Sequence, residues 1–268
     1  RTAGGGLFLG FLWNNSEASG IQIVNSAADA VDFNSYLSIS PEGIITIMSP
    51  NPELGQNIKT SFPMVVAEEL DADWSKVKVV QAPLDTKKFE RQVTGGSGAI
   101  PHSWERLRKA GATARHMLVE AAAKRWNIPA ASLTTENSFV LDKAGNQKLS
   151  YGELATEASK ITVPSNVQLK DRKDFKLIGK SVRNVDNKDM FTGKPLFGMD
   201  FYREGMLTAM IQRPAFGMKL KSVDSAAAKA MPGIIDVVSF KNNVAVVGKS
   251  TWQISKARKA LKIEYEAE

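Results

Sequence analysis

The stretch 49–79, SPNPELGQNIKTSFPMVVAEELDADWSKVKV, decides the fold. Past Gly55-Gln56-Asn57, the apolar residues Ile58, Phe62, Val65, Val66 and Leu70 recur at helical spacing, which predicts a helix from about Gln56 to Asp71, kinked at Pro63. In front of it, YLSISPEGIITIMSP (36–50) alternates apolar and polar residues on both sides of Pro41-Glu42-Gly43 and reads as a β-hairpin. Behind it, KVKVVQAP (76–83) reads as a strand. The polar, Gly-rich DTKKFERQVTGGSGA (85–99) then leads into a long helix over roughly 100–126, whose Trp104, Leu107, Ala114 and Leu118 form an inner face. Gly111 falls on that face, where a missing side chain lets a neighbouring element approach closely.

Further along, SFVLDKAGNQKLS (138–150) reads as a second hairpin and YGELATEASK (151–160) as a short helix. The polar, weakly periodic segment 162–195 follows, and we expect a domain connection around 163–180. Beyond it the pattern predicts strands at LFGMDFY (196–202) and GMLTAMIQRP (205–214), then a helix at SVDSAAAKAM (222–231) stopped by Pro232-Gly233. Strands IIDVVSF (234–240) and NVAVVGKS (243–250), helix TWQISKARKAL (251–261) and strand KIEYEAE (262–268) complete an α+β unit.

Composition narrows the function classes. At 268 residues, with 43% hydrophobic and 24% charged residues, the chain is globular and large enough for one large or two ordinary domains. Its net charge of +7 would attract polyanions, but the basic residues are interleaved with acidic ones, and the densest basic piece is ERLRKAGATAR (105–115). A solvated surface is therefore expected rather than a nucleic-acid footprint. The absence of cysteine rules out a disulfide, a thiolate zinc site or an iron–sulfur cluster on this chain. Only His102 and His116 are present, with no carboxylate at metal-ligand spacing, so no protein-ligated metal is expected. At the other end, RTAGGGLFLGFLW (1–13) before the polar NNSEASG (14–20) has the form of an export-signal remnant, its apolar run too short to span a bilayer. A short buried strand is the alternative.

Two glycine-bearing corners stand immediately before helices: Gly55-Gln56-Asn57, and Thr94-Gly95-Gly96-Ser97-Gly98. Glycine lets a backbone come within hydrogen-bonding distance of a ligand, and a helix N-terminus offers N–H groups and a positive dipole end suited to phosphate. The Gln56 amide can both donate and accept, matching a heterocycle edge. Together the corners read as two fingers of an elongated, phosphate-bearing cofactor site. Singly, each reads more readily as a plain turn with a helix cap, since neither is a phosphate-binding loop of fixed signature.

The runs 53–83, ELGQNIKTSFPMVVAEELDADWSKVKVVQAP, and 92–129, QVTGGSGAIPHSWERLRKAGATARHMLVEAAAKRWNIP, resemble the molybdopterin-binding subunit of the xanthine dehydrogenase/aldehyde oxidase family, and within it the branch of the isoquinoline 1-oxidoreductase β-subunits. Residues 175–238 resemble the small hammerhead domain of that family. The resemblance implies an α+β chain: part of a molybdopterin-binding α/β domain over 30–165, then a hammerhead-like α+β domain over 175–268, with 1–20 the remnant of a twin-arginine signal and a periplasmic location. It implies cofactor contacts at Gly55, Gln56, Thr94, Gly95, Gly96 and Ser97, and molybdopterin cytosine dinucleotide as the cofactor. Asn57 stands where the family has glycine. The family's catalytic glutamate, in a Gly-x-Gly-Glu setting, is expected beyond Glu268, so no residue of this chain is assigned a catalytic role. The implied reaction is hydroxylation of an N-heterocyclic aromatic or an aldehyde with water as oxygen source. Electrons would leave through two 2Fe–2S clusters on a small partner subunit. No nucleic-acid partner and no stable membrane span are expected. The rival reading is a non-catalytic cofactor- or partner-binding module of the same fold. Glu68 and Glu69 are expected on the solvated side of their helix, and Glu53 is expected to order the Gln56 corner.

Overall fold

A computed structural model describes residues 7–9, 36–142, 144 and 147–268. The described residues form an α+β chain of two compact units, which divide between Phe197 and Gly198. Of the segment 1–20 read as an export-signal remnant, only Leu7–Leu9 are described; the remainder lies outside the described residues.

The first unit is organised by a four-stranded sheet. Strands β1 (Leu7–Leu9), β2 (Leu37–Ile39) and β3 (Ile45–Ser49) run antiparallel in that order, and β2 and β3 are the hairpin read from the alternation at 36–50. Leu37, Ile39, Ile45 and Ile47 are buried, as the period of two requires of a sheet covered on one face. Helix α1 (Ile58–Leu70) then crosses over, and β4 (Val77–Gln81) pairs parallel to β3, from Ile45 opposite Val77 to Ser49 opposite Gln81. A parallel pair needs such a crossover, and it sends the carboxyl ends of β3 and β4 out of the same edge. Ligands of open α/β sheets sit at that edge, and here it carries both glycine corners.

After the short helix α2 (Thr86–Phe89), helix α3 (Ala99–Trp126) packs across α1. The crossing is tight at Gly111: a Cβ built there would lie 2.3 Å from the Val66 carbonyl oxygen and 2.9 Å from the Glu69 Cβ. Leu107, Ala114 and Leu118 are buried on the inner face, with Trp104 packed at its edge. Strands β5 (Leu133–Glu136), β6 (Phe139–Asp142) and β7 (Lys148–Ser150) make a second antiparallel sheet. Helix α4 (Tyr151–Ala158) follows, opened by a capping box between Ser150 and Glu153.

Two expectations are corrected within this unit. The segment 163–180 is not a connection between compact units; residues 170–186 hold to α1, and Leu177 and Ile178 pack against the core. For the same reason Glu68 and Glu69 are not solvated: they are 2% and 0% exposed. The helical period shows which face meets the sheet, but the opposite face of α1 is covered by chain about a hundred residues later, which no local pattern reports. Helix α5 (Asn187–Phe191) ends this segment.

The second unit contains β8 (Thr208–Gln212), β9 (Met218–Asp224), α6 (Ala226–Lys229), β10 (Ile234–Phe240), β11 (Asn243–Gly248), α7 (Thr251–Lys259) and β12 (Lys262–Ala267). Antiparallel sheets β10-β11-β8 and β12-β9 accompany a core of Ala228, Val237, Val244, Val246, Ile254 and Ala257. The strand expected at 196–202 is a single turn at Gly198–Asp200, because no strand among the described residues pairs with it. The helix expected over 222–231 shrinks to α6, since Ser222, Val223 and Asp224 pair with Glu264, Ile263 and Lys262 and are held in β9. No helix among the described residues is long and apolar enough to cross a membrane.

Candidate cofactor site

The carbonyl groups leaving β3 are taken, one after another, by side chains of the following segments. Gln81 Nε2 donates to Ser49 O (2.9 Å) and Asn51 O (3.2 Å). Gln92 Nε2 donates to Pro50 O (3.1 Å) and Pro83 O (2.8 Å), and its Oε1 accepts from the Asp85 N–H (2.6 Å). Asn51 Nδ2 donates to Val93 O (2.8 Å). Two side chains then meet on one acceptor: Gln56 Nε2 (3.1 Å) and Thr94 Oγ1 (2.7 Å) both donate to Pro52 O. The two corners read separately from the sequence are therefore joined at the Pro52 carbonyl. Gln81, Gln92 and Asn51, which tie them together, are missed by sequence reasoning; their one signal is an amide residue at the carboxyl end of each strand or loop.

In the first corner Gly55 has φ +102° and Asn57 φ +67°. Asparagine tolerates this left-handed geometry better than most residues, and the Asn57 side chain accepts a hydrogen bond from Asn184 Nδ2. Glu53 orders the corner as expected. Its Oε1 accepts from the N–H groups of Gly55 (2.6 Å) and Asn57 (3.1 Å), and its Oε2 from that of Lys59 (2.9 Å). The anion at the N-terminus of α1 is thus the protein's own carboxylate, and the phosphate-binding role anticipated for these N–H groups is already filled. What this corner presents is the exposed Gln56 side chain, whose Oε1 accepts from the Leu54 N–H (2.7 Å).

The second corner is built differently. Gly96 (φ +59°) and Ser97 (φ +53°) are both left-handed, and nothing lies within 4 Å of a Cβ built on Gly95 or Gly96. Helix α3 begins at Ala99 with Gly98 as its N-cap, and no side chain caps it. An Arg91 Nη1 lies 3.2 Å from a Cβ built on Gly98, which adds positive charge at this helix start. The Gly95-Gly96 corner is therefore the one that leaves a helix start without a side-chain cap, and the Gln56 corner the one that presents an amide edge. Nearby, the buried Ser49 Oγ and Asn51 Oδ1 have no hydrogen-bond partner among the described residues. An open glycine cradle, an uncapped helix start and orphaned buried polar atoms fit an elongated anionic cofactor carrying a heterocycle. Among the described residues no three His, Asp or Glu side chains gather as for a metal ion.

The face of α1 opposite its sheet is electrostatically dense. Glu68 Oε2 accepts from the consecutive N–H groups of Lys176 (3.0 Å), Leu177 (2.6 Å) and Ile178 (2.9 Å), and Lys170 Nζ reaches Glu68 Oε1 at 3.0 Å. Burial pushes the Glu68 carboxyl up, but the N–H donors of Ile178, Leu177 and Lys176 and the Lys170 ammonium together outweigh it and hold it below the ordinary glutamate value. A depressed carboxyl stabilises the fold above its unfolded-state pKa, and that contribution is lost as the pH falls through the folded-state value. Glu69 accepts from Arg108 Nε (2.6 Å) and the Lys170 N–H (3.1 Å).

A family model described as a molybdopterin cofactor-binding domain matches residues 15–201. The beta chain of the isoquinoline 1-oxidoreductase of Brevundimonas diminuta is 34% identical over 278 residues, covering 89% of this chain and 36% of that protein. The membrane-bound aldehyde dehydrogenase (pyrroloquinoline-quinone) of Gluconacetobacter polyoxogenes is 30% identical over 86% of this chain and 31% of its own. A nicotinate dehydrogenase subunit of Pseudomonas putida is 30% identical over 86% of this chain and 20% of its own. The chain spans between 20% and 36% of the length of these curated relatives. With more than half of its residues matched by that family model, the chain belongs to the molybdopterin cofactor-binding domain family.

Proposed function

We propose that this chain is part of the large molybdenum-cofactor subunit of a molybdenum hydroxylase, an oxidoreductase acting on an N-heterocyclic aromatic or an aldehyde, with molybdopterin cytosine dinucleotide as its cofactor. The observation that carries the reading is the junction at Pro52 O, where Gln56 and Thr94 bring an amide edge and an anion-binding corner to one end of the β3/β4 pair. In this reading the Gln56 amide turns from its own loop to a polar edge of the pterin or to the metal's end of the cofactor. The phosphates face the open Gly95-Gly96 turn and the start of α3, because at the other corner the Glu53 carboxylate already takes the N–H groups of Gly55, Asn57 and Lys59 and would repel a second anion. Ser97 adds a hydroxyl donor at the same turn, while the Thr94 hydroxyl, its hydrogen given to Pro52 O, holds the turn against the first corner. When bound, such a cofactor supplies oxygen transfer from water and takes two electrons from the substrate. These 268 residues contain no cysteine and so hold no 2Fe–2S cluster; in this reading the clusters that carry those electrons away sit on a small partner subunit. The names of the relatives, an isoquinoline oxidoreductase, an aldehyde dehydrogenase and a nicotinate dehydrogenase, support the substrate classes. A hammerhead-like role for the second unit and export to the periplasm complete the proposal, the latter resting on the pattern of residues 1–20.

Gln56→Ala in the full-length protein tests it. A hydrogen bond to a charged or strongly polar group contributes about 1.5–3 kcal/mol, so molybdenum content per chain after extensive dialysis is expected to fall roughly tenfold or more. Unchanged metal content together with an unchanged turnover rate would remove Gln56 from the site.

A further inference from the structure

Helix α1 is gripped at both ends by the same later segment. At its C-terminal end, Glu68 takes three consecutive N–H groups of residues 176–178, Glu69 takes that of Lys170, and Lys170 Nζ lies between Glu68 Oε1 (3.0 Å) and Asp71 Oδ1 (2.7 Å). Phe175 packs edge-on against Trp104, with the Arg108 guanidinium over both rings. At its N-terminal end the Val185 N–H donates to Thr60 Oγ1 (3.1 Å), and Asn184 Nδ2 donates to Asn57 Oδ1. There too, Lys59 Nζ pairs with both oxygens of Asp186 at 2.7 and 2.9 Å. This last pair is largely shielded, its side chains 17% and 12% exposed, so removing one partner, which strands the other charge, costs more than breaking a surface ion pair. The segment runs antiparallel to α1 over the helix's whole length, roughly 20 Å at 1.5 Å per residue.

Its far end reaches the candidate site. A cavity of about 340 Å³ is lined by Pro52, Glu53 and Lys59 from the first corner and by Asp186, Leu196 and Phe197 from this segment. Asn57 and Lys59, which the segment holds by their side chains, are two of the residues whose N–H groups Glu53 organises. Fixing those side chains fixes the backbone that aims Gln56.

We propose that residues 170–197 are a strap that positions the Gln56 corner, with Asp186 and Glu68 as its positioning residues at the two ends of α1. The proposal rests on the reading of that corner as a cofactor contact. It also assigns a role to Asn57: its amide ties the corner to Asn184, a contact glycine cannot make.

The test is amide hydrogen exchange and metal analysis on the full-length protein carrying Asp186→Ala, with Asp186→Glu as the conservative variant and Glu68→Gln at the other anchor. Asp186→Ala is expected to speed exchange of the amides of residues 54–60 about tenfold, as local opening there becomes easier. Molybdenum content should fall in parallel, and Asp186→Glu should restore both. Glu68→Gln should produce the same change at residues 54–60 from the opposite end of the helix; should that variant fail to fold, Asp186→Ala alone decides. Faster exchange confined to residues 176–186, or no change at either place, overturns the strap as a positioning device. Faster exchange at 54–60 with molybdenum content unchanged supports the strap and counts against the cofactor reading, which Gln56→Ala tests separately.

Discussion

Gly111→Ala is expected to destabilise the full-length protein by about 3 kcal/mol or more, a large effect for the addition of one methyl group. Helix propensity alone argues the opposite: alanine in a helix interior is favoured over glycine by about 1 kcal/mol. The contact decides the sign. A Cβ at Gly111 would lie 2.3 Å from the Val66 carbonyl oxygen and 3.2 Å from the Leu70 nitrogen, so it meets the backbone of α1 rather than a side chain that can swing aside. Relief requires α1 and α3 to move apart, and Phe62, Val66, Leu107 and Ala114 are all buried in the core those helices share. The loss is read as a lower midpoint in denaturant with an unchanged slope. A neutral or stabilising Gly111→Ala would mean that the helices do not cross at this residue.

Glu69→Ala is the second large effect, expected at about 3–5 kcal/mol, the cost of removing one member of a buried ion pair. Its carboxylate is wholly buried; without it the Arg108 guanidinium, 13% exposed, loses its 2.6 Å partner, and the Lys170 N–H loses an acceptor. Arg115, 3.7 Å away, loses a neighbouring negative charge as well. Glu69→Gln keeps one acceptor oxygen and should cost less than the alanine variant. Were Glu69 on a solvated face, as the helical period alone suggests, either change would fall within about 0.5 kcal/mol, so equilibrium unfolding separates the two placements clearly.

These two residues also mark how far the sequence can be read. Gly111 is legible because its significance is local: a glycine on the inner face of a strongly periodic helix implies a close neighbour, and α1 supplies it. The β2/β3 hairpin, α1 and α3 are legible for the same reason, each carried by a period within a dozen residues. Both corners can be picked out from glycine placement, and the role of Glu53 from its position just ahead of a helix start. Glu68 and Glu69 are not legible, because their burial depends on Lys170 and on N–H groups of residues 176–178, far along a segment whose composition resembles a linker. Strand β9 escapes for a similar reason: its alternation is interrupted, and its pairing with β12 is settled some forty residues later. Nor does spacing reveal that Glu53 takes the N–H groups of Gly55, Asn57 and Lys59 in the first corner, which moves the expected anion contact to the second.

That assignment is what Gly96→Val measures most directly. The position is exposed, left-handed and open to solvent, so valine costs the fold only about 1–3 kcal/mol of local backbone strain while filling the cradle. In the full-length protein, molybdenum content and the fluorescence of the oxidised pterin are determined for the wild type and for Gly96→Val at matched folded fraction. If the Gly95-Gly96 turn holds the phosphates, the wild type carries molybdenum and pterin together and the variant loses both in parallel. Equal cofactor content in the two proteins, or none in the wild type, would contradict the assignment of this chain's paired corners as a cofactor site.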